Sequence, residues 1–253
     1  MRDCAKDVLA FHDEKVTLKK LEQDNMRGRR NATRTRLKTQ LQKEEKPLPK
    51  EFIKQGSYAM LTMVQDDGND YDIDDGVYFT QASLKGPNGG DKTARDARQM
   101  ICDVLKGDDR FSQDPEVKKN CIRVFYKAGY HIDLPAYRIR DDDEDYELAS
   151  GSDWVHSRAA DVEEWFKKAN QELSPDETNG RQFRRMVRLI KKFAKSRESW
   201  KPLIASGFSI TILAKEKYVA DKDKEDWSLR ETMRGIYNRL LFNLEVDHPV
   251  TRG

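Results

Sequence analysis

The sequence predicts an α/β (α+β) protein in which a twisted, mixed sheet with flanking helices is followed by a helical lobe. Three observations carry that prediction. Two acid-bearing segments, YDIDDGVYF at Tyr71–Phe79 and HIDLPAY at His131–Tyr137, alternate side chains with the period of a strand. From Ala159 onward, apolar residues recur at helical spacing. Ser228-x-x-Glu231 is a capping box of the kind that opens a helix.

Residues 2–24 place Ala5, Val8, Leu9, His12, Val16 and Leu21 at near-helical spacing and predict one amphipathic helix. Arg27, Arg29, Arg30, Arg34, Arg36 and Lys38 then crowd together. A solvated helix face explains this run more simply than a nucleic-acid or activator surface, because few aromatics are interleaved for base stacking. Pro47 and Pro49 break the helix ahead of a turn at Gly56-Ser57. A strand at 71–79 continues through residues 76–84. The loop Lys85–Asp91 is glycine-rich but lacks the terminal Lys-Ser/Thr of a phosphate-binding P-loop. Thr93–Leu105 reads as a helix, with Ala94, Ala97, Ile101 and Leu105 in register, and Cys121–Tyr126 as a strand. Arg140–Glu147 is a charge run expected in an exposed loop.

The second half turns helical. Ala159, Val162, Phe166 and Ala169 mark one helix, ending before SPDETNG. In the next, Arg181, Arg184, Arg185, Arg188, Lys191, Lys192 and Lys195 form a basic stripe, with Phe183, Met186, Val187, Ile190, Phe193 and Ala194 opposite. A solvated face and a triphosphate clamp by one or two of the cations both fit that stripe. The last helix carries Leu229, Met233, Ile236, Tyr237 and Leu240. The expected division is 1–150 as a core with N-terminal helices and 151–253 as a helical lobe, with the site in the cleft between them.

Composition narrows the function classes. Across 253 residues, 47 Lys+Arg against 45 Asp+Glu leave a net charge of +2, which is no global nucleic-acid signature. No apolar run reaches membrane-spanning length, and the N-terminus MRDCAKDV has no signal core, so a cytoplasmic protein without membrane partners is expected. Three widely spaced cysteines and four scattered histidines argue against disulfides and a structural zinc.

The acids carry the chemistry. On a strand, Asp72 and Asp74 project to one face while Tyr71 and Ile73 take the other. On the second strand, His131 and Asp133 share a face opposite Ile132 and Leu134. Two such strands side by side would set three carboxylates on one rim. Two unit charges about 4 Å apart repel by roughly 4 kcal/mol at an effective dielectric near 20. Hard divalent cations turn that repulsion into attraction, and a pair of them can clamp an attacking hydroxyl and a leaving pyrophosphate. Upstream, Gly56-Ser57 fits a turn where backbone approaches a phosphate. A DxD alone also fits a solvated strand edge; the combination points to nucleotidyl transfer.

At these residues the chain resembles the cGAS/DncV-like nucleotidyltransferases (CD-NTases), the polymerase-β-like enzymes of bacterial antiphage (CBASS) signalling, and within them the DncV type of cyclic GMP-AMP synthase. The resemblance rests on QGSY at Gln55–Tyr58, YDIDDGVYF and HIDLPAYRI, with support from DVEEWF at Asp161–Phe166, GRQFRRMVRLIKKF at Gly180–Phe193 and FSITILA at Phe208–Ala214. It implies that Asp72, Asp74 and Asp133 are the catalytic, metal-binding triad and that Gly56 and Ser57 hold the donor phosphates. Arg123 is similar to a family arginine lying against a nucleotide, although its spacing differs by about one residue. Lys191 and Ser209 resemble residues that meet the triphosphate.

The resemblance further implies two Mg²⁺ per site, with Mn²⁺ as a substitute, and ATP, GTP or other NTPs as substrates. The implied product is a cyclic dinucleotide such as cyclic GMP-AMP, or a cyclic trinucleotide, that activates a downstream effector. A regulatory protein partner is compatible with it; activation by nucleic acid has no support in the sequence. The family members closest in motif continue further at the C-terminus than HPVTRG, which puts acceptor-base selection in doubt. A linear oligonucleotide or RNA/protein nucleotidyltransferase, and a non-catalytic nucleotide-binding regulator, are the rival readings.

Overall fold

Strand β2 (Tyr71–Thr80) organises the sheet. The computed structural model describes residues 3–66, 68, 71–86, 88–140, 145–200 and 202–250. β1 (Glu51–Gln55) pairs antiparallel with β2. Along β2's other edge run β5 (Tyr130–Leu134) and then β6 (Ala136–Ile139), both parallel to it. The segment read from sequence as one strand is thus two, divided at Pro135. Proline has no N–H to give the ladder, but its carbonyl accepts from the Val77 amide at 2.8 Å, so β2 stays paired across the break.

β3 (Phe111–Val117) and β4 (Ile122–Tyr126) extend the sheet beyond β5. β7 (Tyr146–Ser150) and β8 (Asp153–His156) extend it beyond β6. These last two form a hairpin of half-exposed residues directly after the acidic run. Residues 141–144 of the run lie outside the described residues, and the loop expected through Glu147 gives way to strand at Tyr146.

The odd face of β2 is the core face: Ile73, Val77 and Phe79 are fully buried. α2 (Lys20–Lys43) packs against this strand and against α4 (Ala94–Leu105), burying Met26, Leu37 and Leu41 completely. Each such side chain contributes roughly 1.5–3 kcal/mol. Thr93 caps α4, its hydroxyl accepting from the Asp96 amide at 3.1 Å.

Only part of the basic run on α2 is a solvated face: Arg27 and Lys38 are exposed, while Arg29, Arg34 and Arg36 reach partners on the sheet unit. Arg34 forks onto the fully buried Asp75, with Nε to Oδ2 at 2.7 Å. Arg29 stacks 4.1 Å from the Tyr130 ring, and Arg36 donates to the Lys106 carbonyl at 2.7 Å. These guanidiniums dock the helix on the sheet, using planar forks and rings as partners.

The chain divides into two units. One comprises Lys20–Tyr58 and Asp66–Ala160, the sheet with α2 and α4; the other comprises Met1–Lys19, Ala59–Gln65 and Asp161–Gly253. In the second, α5 (Ala159–Leu173), α6 (Gln182–Ala194), α7 (Gly207–Lys217) and α8 (Glu225–Leu240) surround Phe166, Phe183, Val187, Ile190 and Ala214. α5 begins at the junction, its first two residues belonging to the sheet unit. The single helix expected over 2–24 is interrupted: α1 (Ala5–Phe11) and a π-helical turn end at Val16. There Thr17 turns extended and bridges Val64, and Val16 buries against Val64, Met186 and Leu189.

The capping box also fails. α8 starts at Glu225, three residues before Ser228, whose hydroxyl instead donates to the Val219 carbonyl at 2.6 Å. Asp221 accepts from the Lys224 amide and shapes the turn that starts the helix earlier. No described helix is long and apolar enough to cross a membrane.

Candidate active site

Register alone assembles the sheet unit's site. Gln55 pairs with Asp74, Asp74 with Asp133, and Asp133 with Arg123. Four strands therefore present one row, Gln55–Asp74–Asp133–Arg123, with strands about 4.8 Å apart. Asp72, two residues back on β2, opens the same face opposite His131. Its side chain is 55% exposed, whereas that of Asp133 is 12% exposed, so the carboxylates run from solvent inward.

The charges are strongly coupled. Arg123 grips Asp133 bidentately, Nε to Oδ1 at 2.8 Å and Nη2 to Oδ2 at 2.7 Å, and reaches Asp72 at 3.4 Å. That pairing raises the Arg123 pKa further above its ordinary value. Burial first, then the charges of Asp133 and Asp72, push Asp74 up to about 7, against the pull of Arg123. The Cys121 thiol is pushed up to about 12 by burial and then by Asp133.

Gly56 sits directly beside this row. Its φ is +61°, in the left-handed region, and it starts the single turn α3 (Gly56–Ala59). A Cβ there would collide with the Asp74 carboxylate. The expected Gly-Ser turn is thus present, with Ser57 half-buried one residue on. Gln55, which opens the QGSY motif but is assigned no role by the sequence, is held by Tyr78 and Tyr137: its Nε2 donates to the Tyr78 hydroxyl at 2.8 Å and its Oε1 accepts from Tyr137 at 3.2 Å. The alternation that singled out Asp72 and Asp74 also places Tyr78 on their face, which joins the QGSY motif as the signal for Gln55 in the sequence.

No three His, Cys, Asp or Glu side chains among the described residues are grouped so that they could hold a metal ion, so Asp72, Asp74 and Asp133 share a face of the sheet without closing together as a ligand set. The inward carboxylate Asp74, raised first by burial and then by its acidic neighbours, is the kind of group a cation would restore to its charged form.

In the helical unit, the α6 stripe departs from a simple amphipathic reading. Arg185 and Lys191 are buried, while Phe193, placed on the apolar face, is 47% exposed. Arg185 pairs with Glu225 at 2.7 Å and Asp176 at 2.8 Å. Arg188 donates to the Leu61 carbonyl, Lys191 to the Thr62 hydroxyl at 2.9 Å, and Lys192 to the Gln65 carbonyl. These cations fasten residues 61–65. Burial, then Lys195 and Arg188, bring Lys191 down to about 7. Lys191 also lies beside Gly207 at the start of α7, where Ser206 caps the helix by accepting from the Ser209 amide at 3.0 Å. Lys191 and Ser209 therefore share one end of α7, within one unit. Gly56, Ser57, Asp72, Asp74, Arg123 and Asp133 share the other unit.

Residues 50–137 match the family model described as cyclic GMP-AMP synthase DncV-like, nucleotidyltransferase domain. Among solved structures, the fold is similar to the Vibrio cholerae dinucleotide cyclase DncV, in a mutant complexed with ATP, GTP and 5MTHFGLU2. There the TM-score is 0.73 and the identity 16%, covering 94% of this chain and 80% of that one. It is similar to E. coli MS115-1 CdnC with ATP at TM-score 0.65 and 18% identity, covering 95% and 72%. A CdnC:HORMA-deltaN complex matches at TM-score 0.65 and 18% identity, covering 94% and 70%. The site row of β1, β2, β4 and β5 lies within the segment that matches the DncV-like nucleotidyltransferase domain, and the chain shares the polymerase-β-like fold of these structures.

Proposed function

We propose that the protein joins nucleoside triphosphates with release of pyrophosphate and makes a cyclic oligonucleotide. The observation that carries this reading is the row across four strands, which brings Asp74, Asp133 and Arg123 into register beside Asp72 and the Gly56 turn. In the proposed reaction a nucleotide 3′-hydroxyl attacks the α-phosphate of an NTP, the bond to pyrophosphate breaks, and the hydroxyl proton is lost to solvent or a carboxylate. A second transfer closes the ring. ATP and GTP are the first substrates to test, with cyclic GMP-AMP or a cyclic trinucleotide as product.

Asp72, Asp74 and Asp133 would hold Mg²⁺, with Mn²⁺ as a substitute, and the ions would neutralise the phosphate charge that builds during transfer. Asp72, the exposed carboxylate, would be the first of the three to meet an incoming metal-bound nucleotide. Gly56, lacking a Cβ, lets the backbone approach phosphate while leaving room for Asp74. Arg123 holds Asp133 in place and presents a cation to the nucleotide. On the helical unit, Lys191 and Ser209 are assigned as phosphate contacts. Positioning and charge complementarity would supply most of the rate.

Antiphage signalling from the cytoplasm, through an effector that reads the product, is the role this chemistry fits. The HORMA complex of CdnC motivates a search for a regulatory protein partner of this chain. The test is incubation with all four labelled NTPs and Mg²⁺, followed by phosphatase and separation of resistant species. A resistant product that disappears in Asp74→Ala supports the reading. Only linear products, or none with Mg²⁺, Mn²⁺ or infected-cell lysate added, would overturn it.

A further inference from the structure

The sheet unit holds a second group of cations that nucleotidyl transfer does not use. Arg98, in α4, is only 3% exposed and has no carboxylate partner among the described residues. Its Nη2 donates to the Gly151 carbonyl at 2.5 Å, while Nε and Nη1 are buried without a hydrogen-bond partner. Burial pulls its pKa below the ordinary arginine value. Arg98 lines an open cavity of about 430 Å³ with Arg95, Gln99, Lys118, Lys119 and Ser152. No Asp or Glu appears in that lining among the described residues.

An arginine left in this state is costly. Buried charges are normally paired, and an uncompensated one is strongly destabilising. α2 shows how the same chain treats another arginine that reaches inward: Arg34 meets Asp75. At Arg98 none of the described residues supplies a carboxylate as counter-charge. The turn between β3 and β4 brings Lys118 and Lys119, and the β7–β8 turn brings Gly151 and Ser152, so three elements converge on one positive cavity. Lys118 already pairs with Glu116 beside the cavity, and the remaining cations Arg95, Arg98 and Lys119 call for a ligand with at least two negative charges. The lining offers no aromatic ring, so such a ligand is recognised by charge and oxygen geometry and not by stacking.

We propose that this cavity is a binding site for a phosphoryl anion, with Arg98 as its inner ligand and Arg95, Lys118 and Lys119 around it. Inorganic phosphate and the polyphosphate of a small molecule share this chemistry.

The test uses the full chain in EDTA, with inorganic phosphate titrated against sodium chloride at matched ionic strength and unfolding followed by fluorescence. Phosphate should raise Tm by about 3–6 °C at a tenfold excess over its Kd. Chloride should not, and Arg98→Gln should abolish the rise. Pyrophosphate and tripolyphosphate run alongside: tighter binding of these identifies a polyphosphate ligand, equal binding a single phosphate. If Arg98→Gln does not fold, the combined exposed substitutions Arg95→Gln, Lys118→Gln and Lys119→Gln should weaken the phosphate response at least tenfold in Kd. A chloride response equal to that of phosphate, or an unchanged response in the folded variants, would overturn the proposal.

Discussion

Asp74 and Lys191 show how far one side chain's behaviour departs from what its letter implies. Asp74 is the inner carboxylate of the row, and its charge is opposed by burial and two like neighbours. Asp74→Ala should lower product formation by about 10³-fold or more while leaving the far-UV circular dichroism spectrum unchanged. Gly56→Ala should also lose activity, because the new methyl meets the Asp74 carboxylate and the backbone is already left-handed. Its strain should cost about 1–3 kcal/mol in a urea titration. Lys191 makes a pH prediction. Its folded pKa, about 7, lies below its unfolded value of 10.5, so between those values the unfolded chain binds more protons. Without ligand, stability should therefore rise as pH rises from about 7 to 10.5, with the burial penalty fully present below 7. Lys191→Met should flatten that rise and stabilise the protein at pH 7 by roughly 1–3 kcal/mol.

At the scale of elements, α2 is the clearest lesson. Its arginines are too dense for a sequence-only argument to separate solvated from docked positions, since each guanidinium can snorkel. The partner that decides the matter, Asp75, lies in YDIDDGVYF next to Asp74 but on the opposite face of β2. Alternation places Asp75 on the core face with Ile73 and Val77, and a buried acid requires a cation. That was the available signal. Removing one partner with Arg34→Met should destabilise by about 3–5 kcal/mol, whereas the double variant Arg34→Met/Asp75→Leu should recover most of the loss. Equal losses in single and double variants, read from denaturant midpoints, would show that the pair does not carry this docking. β3, β7 and β8 were illegible for another reason. β3 and β8 are edge strands and β7 lies next to the edge, and with Pro115 or acidic flanks and half-exposed residues they lack the apolar alternation that announces a strand.

Over the whole molecule, the helical unit draws on three stretches of chain: Met1–Lys19, Ala59–Gln65 and Asp161–Gly253. Val16 from the first and Val64 from the second complete a cluster with Met186 and Leu189 from the third. Arg188, Lys191 and Lys192 then bond to residues 61, 62 and 65. A fragment of residues 161–253 alone should therefore show helical circular dichroism without cooperative unfolding, and slow amide exchange should be lost around Met186. A sharp, native-like transition in that fragment would contradict the account.

Period-2 alternation and spacing were enough, by themselves, to place Asp72, Asp74 and Asp133 on strand faces, to put a Gly-Ser turn ahead of them and to identify the α/β class. Those properties are local, and a few neighbouring residues determine them. Which carboxylate is buried, which arginine is docked and where the first and last helices begin depended on partners tens of residues away. Asp75 for Arg34, Asp133 for Arg123, Thr62 for Lys191 and Val64 for Val16 are contacts that only the folded chain creates. Burial and pairing energies set these outcomes, and neither can be read from a side chain until its surroundings exist.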